Sequence, residues 1–350
     1  MTRIVRAVVA AATAAMLVVL SGCGSTETAV GTLTAVADSS GPTGLAAAGS
    51  DPAQQVADQT VFPAVAAPAD APDPTSPAAA GAAVESMVWV PAGDHRVPGT
   101  LAVPAAPPAG AIPVVLLLHG DLSNRNENGD LFTRLAAALA AALAATGGAS
   151  LRIDFAGSGD SEEPDLALDY PGMVTDAAAS VDYLRADPRF DPARVAVLGL
   201  SRGGAIAATL AGTVPGVAAL VEWSGAVYNG YDEDPEGHEQ ARADGFVAVG
   251  GGFRLSLGWF DSIEESHPLD DVAGFTGPVL AVTGSEDGVV PPEVSDVLLQ
   301  TVASTDTTRH SIDGADHEFD ATTDDQSHAR EALTVTSDWL TAKLGAAPTS

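Results

Sequence analysis

The stretch Arg194-Val195-Ala196-Val197-Leu198-Gly199-Leu200-Ser201-Arg202-Gly203-Gly204 decides the fold. Its first half is an apolar run of strand character, its continuation is helix-forming, and Gly199-x-Ser201-x-Gly203 stands at the junction. Glycines on both sides let the chain turn sharply from strand to helix, which holds a serine hydroxyl in the open with the amides of the new helix beside it. Serine is a weak nucleophile at neutral pH. It needs a base within hydrogen-bond reach and a carboxylate to fix that base's tautomer. Both residue types follow downstream, where an apolar run at 278–284 leads into Ser285-Glu286-Asp287-Gly288 and a later segment reads Gly314-Ala315-Asp316-His317. Glu286 and Asp316 are rivals to Asp287 by residue type. Neighbouring residues at a strand tip point in different directions, however, and Asp316 cannot easily turn back to the ring of His317, the residue that follows it.

Working outward, the apolar runs and turn signals predict an alternation of strands and helices. Residues 84–90 and 97–103 read as an antiparallel pair around a turn at Gly93-Asp94. The continuous apolar run 112–118 suits a strand buried on both faces and ends in His119-Gly120-Asp121. Helical composition follows at 131–145, strand character at 149–155, a helix at 173–184, the nucleophile strand at 194–200 and its helix at 205–211. Further strands are expected at 216–223, 278–283 and 308–312, with a closing helix at 329–344. Buried-type strands alternating with helices imply an α/β class domain, a doubly wound, mostly parallel sheet covered on both faces. About fifty residues between 223 and 278 are long for a loop between strands. They are expected to form a cap at about 226–273, holding Tyr228, Tyr231, Phe246, Phe253, Trp259 and Phe260. These aromatics either line a substrate site or pack the cap's own core.

From about 84 to 346 the chain resembles an α/β-hydrolase, and within that superfamily the group of cinnamoyl and feruloyl esterases. The matching pieces are Leu118-His119-Gly120, Asp154-x-x-Gly157-x-Gly159-Asp160-Ser161, Gly199-Leu200-Ser201-Arg202-Gly203-Gly204, Gly251-Gly252-Phe253-Arg254-Leu255, Gly284-x-x-Asp287-x-Val289-Val290 and Gly314-Ala315-Asp316-His317. The resemblance implies a triad of Ser201, Asp287 and His317, with oxyanion donors from the main-chain N–H groups of Asp121 and Arg202. It implies hydrolysis of a small-molecule carboxylic ester through an acyl-enzyme, with no cofactor and no metal. Peptide or amide hydrolysis by the same machinery is the alternative, and a non-catalytic binding protein on the same fold a third. The chain departs from its relatives at Leu200, often histidine there, and at Asp121, often apolar. A carboxylate beside an oxyanion would oppose it, so the Asp121 side chain is expected to point away. Arg202 either meets an anionic substrate group or pairs with one of the many surface acids. His119 is expected to shape the oxyanion loop through hydrogen bonds, and the Asp154 motif to form a tight turn. His95, His238, His267, His310 and His328 show no spacing suited to zinc.

The N-terminal part reads differently. Residues 1–22 carry Arg3 and Arg6 ahead of an apolar run too short to span a membrane comfortably, and Leu20-Ser21-Gly22-Cys23 resembles a bacterial lipoprotein processing site. Cys23, the only cysteine, is expected to become the lipidated first residue, which excludes an intrachain disulfide and anchors the protein to the outer side of a membrane. Residues 23–83 are rich in Ala, Pro, Thr, Ser and Gly, a composition that cannot bury enough apolar area to offset ordering entropy, and are expected to form a tether. The 46 acidic against 15 basic residues give a net charge of −31. That charge disfavours nucleic acid and anionic headgroups as partners, because their phosphates would be repelled. The acidity fits adaptation to salt and equally a composition set by a GC-rich genome.

Overall fold

Seven residues in a row of the strand at 112–118 are buried, because each face of the sheet carries its own layer of helices. The computed structural model describes residues 83–142, 148–230 and 234–345. The expected signal segment, Cys23, the tether and Tyr231 lie outside those residues, as do positions 143–145 of the expected helix at 131–145.

Strands β1 (Ala83–Ala92) and β2 (His95–Pro104) form the expected antiparallel hairpin at one edge. Next come β3 (Ile112–Leu118), β4 (Ala149–Ile153), β5 (Phe190–Leu200), β6 (Leu220–Trp223), β9 (Val279–Gly284) and β10 (Thr307–Ile312). These eight make one sheet in the order β1-β2-β4-β3-β5-β6-β9-β10, parallel from β4 onward. Side chains alternate between two cores as the pleat requires. Val114, Leu116 and Leu118 of β3 and Val195 and Val197 of β5 enter one core; Val115, Leu117, Ala196 and Leu198 enter the other. Helices α2 (Tyr170–Ala186) and α3 (Arg202–Thr213) cover the first face, whereas α1 (Leu131–Ala142) and α8 (Ser327–Leu344) cover the second.

Boundaries differ from the sequence reading where caps or pairing intervene. Helix α2 opens at 170 rather than 173 because the Asp169 carboxylate accepts the Gly172 N–H at 2.7 Å, with Pro171 preset for the first turn. Strand β5 opens at 190 because Phe190 already pairs with Ile112. Strand β6 is shorter than 216–223, beginning at Leu220. Helix α7 (Glu293–Thr301), which follows Pro291-Pro292, was absent from the sequence reading.

The segment between β6 and β9 folds as α4 (Pro235–Asp244), a small hairpin of β7 (Phe246–Ala248) and β8 (Arg254–Ser256), α5 (Leu257–Glu264) and α6 (Pro268–Val272). Its aromatics mostly pack on one another. Trp259 and Phe260 are buried edge to face at 4.8 Å, and His238 stacks on Phe260 at 5.2 Å. Phe253 is half-buried and Phe246 exposed.

One buried acid stands apart. Glu222 on β6 is fully buried, and burial pushes its carboxyl up to about 7, with the nearby Asp287 adding to the rise. Ser295 of α7 donates to its Oε1 at 2.6 Å, while among the described residues Oε2 has no hydrogen-bond partner. These bonds, the Gly225 amide and Arg309 pull the other way but do not prevail. A carboxyl raised in the folded state binds more protons folded than unfolded, so stability falls as pH rises from 4.5 to about 7 and levels off beyond. Glu222→Gln, which keeps the Ser295 bond and cannot ionise, is expected to raise stability at pH 8 by up to about 3 kcal/mol relative to its effect at pH 4.5. Thermal melts of both proteins across that range check this; parallel curves would refute it.

Candidate active site

The turn after β5 is closed by backbone pressed against backbone. A Cβ on Gly199 would lie 1.9 Å from the Gly203 carbonyl oxygen, and one on Gly203 would lie 2.0 Å from that of Leu118. No side chain fits at either position, and this is why the motif needs glycine there. Between them Ser201 adopts φ 55° and ψ −119°, which costs on the order of 1–3 kcal/mol for a residue with a side chain. Four hydrogen bonds hold it. Its N–H donates to the Trp223 carbonyl at 2.9 Å, and its own carbonyl accepts from Gly204 at 2.9 Å, Ala226 at 3.0 Å and Ala205 at 3.3 Å.

The parallel strands deliver the other residues to the same end of the sheet. Asp287 lies three residues beyond β9, His317 five beyond β10, and the two loops are tied by the amides of Ser285 and Glu286 bonding to Ile312 and Ala315. His317 Nδ1 and Asp287 Oδ2 are 2.9 Å apart. The other oxygen, Oδ1, accepts the N–H groups of Val289 at 2.9 Å and Val290 at 2.8 Å, so the carboxylate is fixed in orientation. With Nδ1–H donating to Asp287, Nε2 is the basic nitrogen. Burial lowers the basicity of His317, but the hydrogen bond and charge of Asp287, with the charges of Glu318 and Glu127, outweigh it and leave the imidazole more basic than usual. Trp223 underlies both halves of the site. It accepts the Ser201 amide and meets Phe319, two residues past His317, edge-on at 5.5 Å. Asp287 and His317 are thus joined directly, while among the described residues no hydrogen bond links Ser201 Oγ to His317.

The loop after β3 lies against the serine, since a Cβ on Gly120 would be 3.2 Å from Ser201 Cβ. The Phe155 N–H donates to His119 Nε2 at 3.3 Å, so Nδ1 carries the proton and donates to the Gly120 carbonyl at 2.7 Å. His119 is therefore a neutral brace of the loop. Asp154 braces it from outside: its carboxylate accepts the Arg125 amide at 2.6 Å and the Asp160 amide at 2.9 Å and pairs with the Arg125 guanidinium. That is the expected tight turn, tied to the neighbouring loop. Glu127, buried in this loop, escaped the sequence reading; its lone acidic character among Asn124-Arg125-Asn126 and Asn128 gave no periodic or spacing signal.

Asp121 and Arg202 meet through their side chains. Arg202 Nε donates to Asp121 Oδ2 at 3.1 Å, the guanidinium is 2% exposed, and it lies 5.9 Å from the Trp259 ring centroid. Of the two fates considered for Arg202, pairing with an acid is observed: Asp121, in the loop after β3, is among its partners. The Asp121 side chain turns to Arg202, and among the described residues its buried Oδ1 has no hydrogen-bond partner. Among the described residues no group of three or more His, Cys, Asp or Glu could hold a metal ion. Likewise among them, no helix is long and apolar enough to cross a membrane.

A profile of the dienelactone hydrolase family matches residues 164–344, a span that contains Ser201, Asp287 and His317. The chain belongs to the dienelactone hydrolase family. Solved structures share its α/β-hydrolase fold. Est1E from Butyrivibrio proteoclasticus, described with ferulic acid bound, is 19% identical, covers 74% of this chain and 100% of its own, and superposes with a TM-score of 0.60. The esterase domain of a Rhodothermus marinus protein is 22% identical over 75% of this chain and 100% of its own, with a TM-score of 0.55. A dienelactone hydrolase from Anabaena variabilis is 20% identical over 75% of this chain and 99% of its own, with a TM-score of 0.51. The uncharacterized Mycobacterium tuberculosis protein Rv2307c is 28% identical over 194 residues, 55% of this chain. The chain spans 59% of the length of the curated relatives it matches.

The pairing of Asp121 with Arg202 makes a test of the site's architecture. Arg202→Met leaves a largely buried carboxylate uncompensated, and a loss of about 3 kcal/mol in unfolding free energy is expected. Adding Asp121→Asn removes that charge and should recover most of the loss. Denaturant titration of the four proteins of this cycle checks it; additive effects would refute the pairing.

Proposed function

We propose that this protein hydrolyses carboxylic esters through an acyl-enzyme on Ser201. The observation that carries the reading is the His317–Asp287 pair at 2.9 Å, on the rim where Ser201 is held in a strained turn. In this mechanism His317 Nε2 takes the proton from Ser201 Oγ as the oxygen attacks the ester carbonyl carbon. Negative charge moves onto the carbonyl oxygen, where the main-chain N–H groups of Asp121 and Arg202 receive it. Arg202 opens helix α3, and the first amides of a helix lack intrahelical acceptors, which supports this role. The imidazolium returns its proton to the departing alkoxide. Water, deprotonated by the same nitrogen, then attacks the acyl carbon, and Ser201 leaves as the hydroxyl with the acid released.

The Asp121–Arg202 pair answers the objection that a carboxylate beside the oxyanion would oppose it, because a guanidinium neutralises that carboxylate. Cinnamoyl and feruloyl esters are the first substrates to test, on the resemblance of the sequence motifs and on the fold shared with Est1E. The lipid anchor at Cys23 belongs to the same reading, with the enzyme acting outside the cytoplasm and carried on a membrane; it rests on the sequence of residues 1–23.

A fluorophosphonate probe is expected to label the wild type and not Ser201→Ala. Short-chain p-nitrophenyl esters and methyl ferulate should be turned over, and aminoacyl anilides should not; the reverse preference would make the enzyme an amidase. His317 acts neutral and is more basic than usual, so kcat/KM should fall on the acid side through a pKa above 6.5. Asp287→Asn should lower kcat by about 10⁴-fold, since the imidazole loses its tautomer and its counter-charge. Equal labelling of Ser201→Ala and wild type would end the proposal.

A further inference from the structure

Neither the triad nor the oxyanion donors account for Glu127. It is 5% exposed, and among the described residues no arginine or lysine pairs with it. Its backbone lies at φ 61° and ψ 164°, a conformation that residues with side chains rarely adopt. From there the carboxylate reaches back under the loop after β3. Oε2 accepts the Gly120 N–H at 2.7 Å; Oε1 accepts the Ser123 hydroxyl at 2.5 Å and the Asn128 N–H at 3.1 Å.

These bonds constrain the peptide that follows. The Gly120 carbonyl is taken by His119 Nδ1–H at 2.7 Å, and in a trans peptide the next N–H points opposite to that carbonyl. Glu127 holds one side of Gly120 and His119 the other, so the direction of the Asp121 N–H is set by both. The Gly120 Cα lies against Ser201. The same carboxylate is one of three charges felt by His317, with Asp287 from the loop after β9 and Glu318 from the histidine's own loop. Glu318 accepts from Asn128 Nδ2 at 2.5 Å, so the chain segment of Glu127 touches the histidine loop directly.

We propose that Glu127 is a positioning residue of this site: through Gly120 it turns the Asp121 amide toward the Ser201 oxyanion position. The inference rests on the serine-hydrolase reading. It goes beyond that reading by assigning the preorganisation of the oxyanion loop to a carboxylate outside the triad.

The test is kcat and KM for a p-nitrophenyl ester against pH, for wild type, Glu127→Gln and Glu127→Asp, with fluorophosphonate labelling of these and of Ser201→Ala. For Glu127→Gln a roughly 10- to 100-fold fall in kcat is expected, with KM little changed and the acid limb of kcat/KM displaced to lower pH. Glu127→Asp keeps the charge but is too short to serve Gly120 and Ser123 together, so kcat should fall while the acid limb stays in place. Should the Gln variant not fold, the Asp variant decides. Wild-type kcat in Glu127→Gln or in Glu127→Asp overturns the inference, while unlabelled Ser201→Ala keeps the enzyme reading intact. Equal labelling of Ser201→Ala and wild type overturns both.

Discussion

Contact of main chain on main chain where β3, β5 and α3 converge is the constraint on which the site depends. The Gly203 Cα sits so close to the Leu118 carbonyl, and the Gly199 Cα to that of Gly203, that any side chain there would overlap an oxygen. The first turn of α3 is thereby drawn against the end of β3. Gly120, two residues past that end, consequently touches Ser201. The turn at Ser201 and the loop after β3, separated by some eighty residues of chain, become neighbours because two glycines leave room for it. The strain at Ser201 is local, and the Trp223, Gly204 and Ala226 bonds over-determine it.

Electrostatics supply the second layer. A chain with 46 acids and 15 bases has few cations to spend inside, and it places several at the site's supports. Arg125 pairs with Asp154 behind the loop after β3, and Arg202 pairs with Asp121 within it. The charges that raise the basicity of His317 are those of Asp287, Glu318 and Glu127. For the general base of the proposed mechanism this would be a compromise: surrounding negative charge would stabilise the imidazolium formed as the serine attacks, while it would shrink the neutral fraction available near pH 7. Asp287 also fixes the ring, so its charge serves geometry and energy together; Glu127 acts at longer range.

Much of this was legible in the sequence, for physical reasons that differ by feature. Strands buried on both faces reveal themselves as unbroken apolar runs, as at 112–118, and the glycine elbow is a local steric requirement written in adjacent residues. His317 and Asp287 were legible through their motifs, and their union is visible only in the folded chain. What escaped depends on nonlocal packing. The start of α2 at 170 turns on a cap at Asp169, and β5 begins at 190 because a partner strand is there to meet it. The burial of Arg202 could not be read from a residue type that is usually exposed. Glu127 is harder still, since its meaning lies in amide groups, Gly120 and Asn128, that every residue possesses.

The segment between β6 and β9 is joined to the loop after β3 by direct contacts. Trp259 and Phe260, which could have lined a substrate site, bury each other and leave a compact apolar centre for the insertion. One edge of that centre meets Arg202, whose guanidinium lies 5.9 Å from the Trp259 ring while holding Asp121. The chain of contact therefore runs from the insertion, through a cation and a carboxylate, to both residues whose amides are assigned to the oxyanion. Movement of the α5 helix would shift Trp259 and with it the environment of Arg202. The insertion is thus continuous, through a packed ring and a buried ion pair, with the two residues to which the proposed mechanism gives the oxyanion, so a substitution at Trp259 would change the surroundings of that pair before it changed the fit of any substrate.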